Sequence, residues 1–439
     1  MWIFLRAYLY WVVLWGFLGH KSLGLQALIP SLLQATDTLM ISVTSIYVLT
    51  QWLIMPNPKD RNVVSTTGIG LIVVIFYGLG VTYMHEGSLI EGAKYLAVLA
   101  RPLLLMLVLF ILTRSTITPN ATRLRRIRKL DFSLLVTAQL AVASLQLIYP
   151  DSGSEFIPVF AETQSAKWAL VEGDVSGTFP NSIDLAYFLV AAYVVLTSEA
   201  WQFWRMPSLP LTVLLGYFTY ATGSAAATVC FGVYASYLFI RRLSPKKRRD
   251  FYLVIFISAA LVISWQINSI TEIVIAKVEN MMLSRLGLIF ISLPEVFEFH
   301  PLMLLTGQGT DLAPIIVTLE KLPEVPLVFT VENSSVLIND VFWVSLLLTL
   351  GLPMMLLYLT SATLLFNGFL RYTRGGVPLR PMRNLLLLII FVAGFINQII
   401  VLRSFTTVLL LGLIPLVLSS TLPFRRDTPL PTLTPEIYS

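Results

Sequence analysis

The chain has 439 residues, 56% hydrophobic and only 12% charged, with a formal net charge of +6. Soluble domains carry about 25% charged residues, so a water-solvated enzyme is excluded, as are disordered, collagen-like and disulfide-stapled chains. The mean hydropathy of +0.80 calls for lipid as the main solvent, and the single cysteine, Cys230, can form no intrachain disulfide.

Taken in chain order, apolar stretches separated by clusters of Pro, Asn, Gly and Arg predict spans near 2–19, 38–55, 63–83, 89–113, 132–149, 181–203, 208–222, 223–240, 251–270, 336–366, 384–402 and 404–422. The first starts at Met1 without a long basic lead or a small-residue cleavage site and reads as a retained span rather than a signal peptide. Ser22–Gln34 is apolar but too short to cross, and the pair meeting across Ala221–Ser224 is short. The expected fold is an all-α polytopic membrane protein of about 12 transmembrane helices, one domain over residues 1–439. Long connections are expected at 150–180 and 271–335, the latter between spans nine and ten, with a disordered Pro- and Thr-rich tail at 427–439.

Positive charge near span ends resists translocation. One side collects Arg6, Lys59, Arg61, the run Arg123–Lys129 with Arg114, Arg205, the run Arg241–Arg249, the group Arg371–Arg383, Arg425 and Arg426, which is 22 of the 30 basic residues. The other side, with the membrane interior, holds 18 of the 24 acidic ones. Both termini are therefore expected in the cytoplasm and the two long connections outside. Topology accounts for the basic runs, so nucleic acid is not implied as a partner. Connections longer than about 12–15 residues are usually functional or disordered, and the aromatic and aliphatic content of these two argues for folded, partly membrane-associated segments. Within the second, Ile275, Val278, Met282, Leu286 and Ile289 recur at helical spacing, predicting an amphipathic interfacial helix over Glu272–Val296.

No phosphate loop, His-Glu-x-x-His or Gly-x-Ser-x-Gly motif occurs, and three isolated histidines, His20, His85 and His300, build no zinc signature. No cofactor or metal is implied. The informative residues are charges where lipid makes them costly. Arg101 lies about a dozen residues into the fourth span and Lys94 seven residues earlier, on the same face. Either they serve function or they sit in packing ion pairs, with Glu91 and Asp184 as candidate partners. Arg403 sits in the short outer turn before the last span, where it either snorkels to the interface or offers a planar fork to phosphate. In the large outer connection and its return, Arg285, Glu295, Glu298, His300, Asp311, Glu332 and Asp340 carry charge or titrate. Most loop charges are solvated, but Arg285 interrupts the apolar run Met281–Leu293.

The order of several phrases resembles the O-antigen ligase and Wzy-type polymerase superfamily. Val175-Ser176-Gly177-Thr178-Phe179-Pro180-Asn181-Ser182 before Asp184-Leu185-Ala186 is similar to its Gly-Thr-Phe phrase, and Ala221-Thr222-Gly223-Ser224-Ala225 to its Thr-Gly-Ser-Arg segment. Ser284-Arg285, Pro294-Glu295, His300-Pro301-Leu302 and Thr306-Gly307-Gln308-Gly309 resemble its loop pattern. Glu332-Asn333 and Ile338-Asn339-Asp340 ahead of Leu350-Gly351-Leu352 resemble the polar approach to its Gly-Leu span. The resemblance covers residues 170–365 and departs at two points. Ala225 stands where the family has Arg, which leaves Arg101 or Arg403 to substitute. The His that ligases place before the last Asn is absent, which favours a polymerase.

The resemblance implies a GT-C-like, metal-independent glycosyltransferase of the bacterial inner membrane that joins undecaprenyl-diphosphate-linked repeat units at the periplasmic face. Its implied catalytic residues are Arg285, Asp340, Glu295, Glu332 and His300, and its substrate-binding residues Arg101, Lys94, Arg403, Asn333 and Asn181. Lipid-linked donor and acceptor, membrane lipids and a chain-length regulator would be the partners. The competing readings are a ligase that transfers the glycan to another acceptor and a polysaccharide transporter or flippase. Transporters often show two related halves, and the long connection after span nine has no counterpart after span three.

Overall fold

The computed structural model describes residues 1–15, 28–55, 57–115, 121–149, 174–179, 181–203, 209–241, 243–250, 253, 257, 287–323, 338, 341–371, 388–391, 393–394 and 402–420. Among them there is no strand. The helices are α1 (Trp2–Leu14), α2 (Ile29–Ile54), α3 (Pro58–Met84), α4 (Leu89–Ser115), α5 (Ala121–Ile148), α6 (Ser182–Phe203), α7 (Leu209–Tyr220) and α8 (Ala225–Ile240). A π-helical turn, Leu288–Ser292, leads into α9 (Leu293–Phe299), followed by α10 (Pro301–Thr306), α11 (Leu312–Leu319), α12 (Phe342–Arg371) and α13 (Arg403–Ser420).

Five helices among the described residues are long and apolar enough to cross a membrane, within α2, α3, α4, α5 and α12. The chain is an all-α membrane protein. The expected spans at 251–270 and 384–402 fall mostly outside the described residues, as do the 427–439 tail and most of 150–180. α7 and α8, at 12 and 16 residues, are about 18 and 24 Å long, short of a hydrocarbon core of about 30 Å. They are cut short by the turn at Gly223, whose φ is +69°, and Ser224 caps α8 by accepting from the Ala227 amide.

Two helices start earlier than hydropathy predicts. α2 begins at Ile29 rather than 38 and takes in part of the stretch judged too short. Its polar residues read as a boundary but are satisfied inside the fold: Thr36 accepts from the Trp11 indole at 2.8 Å, and Asp37 accepts from the Tyr8 hydroxyl at 3.1 Å. α5 begins at Ala121, so the basic run is helix rather than loop, in keeping with the high helix propensity of Arg, Lys and Leu.

Packing is inside-out relative to a soluble protein. Leu103–Leu112 of α4 and Leu185–Leu196 of α6 are buried, and their burial centres the bundle on these two helices. α2 and α3 turn Ile46, Leu49, Leu53, Ile69, Ile72 and Phe76 outward, while Arg101, Asp131, Gln139 and Gln146 are buried. Outward apolar and inward polar groups are what a hydrocarbon solvent selects.

The helix ends sort as the charge pattern predicts. At one end Arg6 grips the buried Asp131 of α5 through two bonds of 2.6 and 2.8 Å, a bidentate pair that ties α1 to α5. At the other, the segment 174–179 docks on α5: the Ser176 and Gly177 amides donate to Gln146 Oε1 at 2.9 and 2.8 Å, and the Thr178 amide donates to Gln139 Oε1 at 3.0 Å. Ser404 at the start of α13 reaches Asp184 at that same end.

Candidate functional site

Residues 287–323 fold into a small cap at the end of the bundle expected to face outward. Its core is Leu288, Val296, Met303, Ile315 and Leu319, packed on Val344 and Leu348 of α12. The described part of the predicted amphipathic stretch, 287–296, is helical, and the helix runs on to Phe299; His300 (φ −135°, ψ 55°) ends α9 and opens α10.

Two glycine turns lock this cap to the bundle. α10 ends at Gly307 (φ 72°, ψ 175°), and α12 is interrupted nine residues in, at Gly351 (φ 72°, ψ 166°). The interruption strands the carbonyls before it. Thr349 would bond to the amide four residues on, but that residue is Pro353, which has none. The loop supplies the missing donors: the Gln308 amide donates to Leu348 O at 2.9 Å and the Gly309 amide to Thr349 O at 3.1 Å. Backbone away from water must be satisfied in this way.

The loop continues onto the α3–α4 turn. The Thr310 amide donates to Thr82 Oγ1 at 2.7 Å and Thr310 Oγ1 donates to Gly92 O at 3.2 Å. Asp311 accepts from the Ser88 amide at 2.7 Å and from the Ala313 amide at 3.1 Å, capping α11. Between this turn and the cap lies a cavity of about 300 Å³, with His85, Phe299, His300, Thr306, Gln308 and Thr318 in its wall. Gln308 Nε2 donates to Thr318 Oγ1, and Thr318 Oγ1 donates onward to Pro314 O at 2.9 Å. Because that hydroxyl has spent its hydrogen, it can only accept from Gln308, which fixes which end of the amide faces it. Gln308 Oε1 is left buried with no partner among the described residues, at a cost of about 1–3 kcal/mol.

The expected site residues fall in separate places. His300 is exposed at the cavity rim, and Glu295 is half-buried on α9 outside the cavity wall. Arg101 is buried, with Nη1 3.0 Å from Asp37 Oδ2 on α2, a carboxylate partner that was not among the two expected, Glu91 and Asp184. Lys94, half-exposed, pairs with Glu91 at 2.6 Å. The two cations thus face different surroundings, because Lys94 lies near the helix start and Arg101 deep against α2. Asn181 accepts from the Asp184 amide at 2.7 Å and caps the start of α6, as short polar side chains do. Arg403 begins α13, and its side chain lies outside the described residues, as do Arg285, Glu332, Asn333 and Asp340.

Sequence reasoning missed Asp37, His85 and Gln308. Asp37 stands one residue before the expected span, His85 enters only as one of three isolated histidines, and Gln308 only as a residue of the Thr306–Gly309 phrase.

Comparison with family models, with curated proteins and with solved structures finds no match.

Proposed function

We propose that this chain is a GT-C-like membrane glycosyltransferase of twelve crossings. In this reading it is a polymerase that joins undecaprenyl-diphosphate-linked repeat units at the periplasmic face of the bacterial inner membrane, with both termini in the cytoplasm. One observation carries the reading: phrases of the resemblance that lie far apart in sequence pair in space. The Gly-Thr-Phe phrase meets the Thr-Gly-Ser phrase, since the Val175 amide donates to Ala221 O at 3.0 Å and Asp174 packs on Gly223 so closely that a Cβ there would lie 2.2 Å from its carboxylate. The Gly-Gln-Gly phrase meets the Leu-Gly-Leu phrase at Gly307 and Gly351.

The chemistry follows from a diphosphate leaving group. An acceptor hydroxyl oxygen attacks the anomeric carbon of the growing chain, the bond from that carbon to the diphosphate oxygen breaks, and the electron pair leaves with the lipid diphosphate. The hydroxyl proton goes to a base, for which Asp340, Glu295, Glu332 and His300 are the candidates. Arginine forks aimed at the departing charge lower the barrier, with Arg285 and Arg403 as the candidates and Lys94 and Asn333 as supporting contacts.

Gene deletion tests the reading through the product. Polymerase loss leaves single repeat units exported and attached to their usual acceptor, without long chains. Single units confined to the cytoplasmic leaflet would make the protein a flippase, and long chains held on lipid diphosphate would make it a ligase.

A further inference from the structure

We propose that the cavity between the α3–α4 turn and the cap is a binding site for one neutral sugar ring, held through its hydroxyl groups. The inference deepens the glycan reading above and rests on it for the ligand's biological source.

The wall selects by charge, hydrogen bonding and shape. Among the described residues none that lines the cavity is Lys, Arg, Asp or Glu, so a phosphate or carboxylate meets no fixed counter-ion from them and would lose hydration for little return. The protein's own bonds use up the hydroxyl hydrogens: Thr318 gives its own to Pro314 O and Thr306 gives its own to Leu302 O at 2.9 Å. One of the two Gln308 amide hydrogens goes to Thr318, which leaves the other to donate. Beside it the wall offers the lone pairs of Thr306 Oγ1 and the imidazoles of His85 and His300, which can donate and accept. A matching ligand therefore carries groups that both donate and accept. The exposed Phe299 ring and the apolar Met303 offer surface for a ligand that also has C–H faces, and sugar rings combine both properties. At about 300 Å³ the space lies at the bottom of the range for small-molecule sites, which suits one ring and not an oligosaccharide.

Position gives the site its use. The wall joins His85, from the turn between α3 and α4, to His300 and Gln308 of the cap, and Gln308 belongs to the loop whose amides close the break in α12. A ring bound here bridges the cap and the bundle beside the candidate base His300.

The test is saturation-transfer NMR on the full-length protein in nanodiscs, with methyl glycosides of neutral hexoses, 6-deoxyhexoses and N-acetylhexosamines as probes and excess inorganic phosphate as competitor. At least one glycoside should give a signal that phosphate does not displace. Gln308→Leu should weaken that signal by about five-fold, the scale of one lost hydrogen bond, with the thermal midpoint retained. Should Gln308→Leu fail to fold, Phe299→Ala at the exposed rim decides, with a similar loss expected. No signal from any glycoside, displacement by phosphate, or a signal unchanged in a folded variant overturns the proposal. Binding is read here, and transfer is read by the deletion experiment: glycoside binding in a chain whose deletion leaves long polymers intact would keep this site and remove the polymerase.

Discussion

Replacing Gly351 with alanine should uncouple the cap from the bundle, and the structure sets the size of the effect. A Cβ on Gly351 would lie 2.3 Å from Leu305 O and 2.7 Å from the Gly307 nitrogen; one on Gly307 would lie 2.4 Å from Thr349 O and 2.7 Å from the Gly351 nitrogen. These are backbone atoms, so no rotamer change relieves the overlap. A φ of +72° with ψ near 170° is a region essentially confined to glycine, costing about 1–3 kcal/mol for other residues. Moving the loop away gives up the bonds to Leu348 O and Thr349 O, about 1 kcal/mol each. Together these come to about 3–5 kcal/mol, more than a hundredfold in the docked population. Thermal midpoints of purified variants, read by fluorescence-detected size exclusion, should fall by about 3–5 °C. Gly68→Ala and Gly80→Ala are the controls, since a Cβ at either meets nothing within 4 Å and alanine is the better helix former; both should melt at or above the parent. The Gly307→Ala/Gly351→Ala double variant should cost less than the sum, because each relieves part of the other's clash. Gly351→Ala and Gly307→Ala melting together with Gly68→Ala would refute the interlock.

Asp37→Leu removes the carboxylate 3.0 Å from the buried Arg101 and should destabilise by about 3–5 kcal/mol, while Asp37→Leu with Arg101→Leu should recover most of it. A thermal midpoint for the double variant no better than for the single one would argue against a packing pair. Lys94→Ala should cost no more than about 1 kcal/mol, because its pair with Glu91 is solvent-screened. Reporter fusions after Lys247 and Arg374 should read cytoplasm and those at Glu162 and Leu322 periplasm; a periplasmic signal at Lys247 would reverse the whole orientation. Arg285→Ala should abolish long chains at normal expression and Arg285→Lys restore them only in part, since the ammonium keeps the charge and loses the fork. Wild-type ladders from either variant would remove Arg285 from diphosphate binding.

Class was legible because it depends on composition summed over many residues. Lipid-facing Ile69, Ile72 and Phe76 and the Arg6–Asp131 grip are local expressions of those sums. Lys94–Glu91 was legible because it is a one-turn pair on one helix. Arg101–Asp37 was not, since the partners lie on different helices and only the packing of α2 on α4 brings them together. The break in α12 had a signal that went unread: Gly351 is followed two residues later by Pro353, inside an apolar stretch longer than one crossing needs. The cavity had none, because His85 and Gln308 are more than two hundred residues apart and no local pattern relates them.

The burial of Arg101 also redistributes the roles within the proposed chemistry. It lies twelve residues beyond the start of α4 at Leu89, about 18 Å along the helix, past the midpoint of a hydrocarbon core about 30 Å thick. A lipid diphosphate sits at the interface, so to meet Arg101 it would have to descend through the core and displace Asp37, against the several kcal/mol that breaking a buried pair costs. In the proposed polymerase Arg101 therefore serves the packing of α2 on α4, and the charge that the resembled family carries where this chain has Ala225 would come from residues nearer the helix ends. Arg403 meets that condition by position, as the first residue of α13 and the neighbour of Ser404, which holds Asp184 at the start of α6. In the proposed polymerase the cations that receive the leaving diphosphate are thus Arg285 and Arg403, and the charge buried on α4 against Asp37 serves assembly.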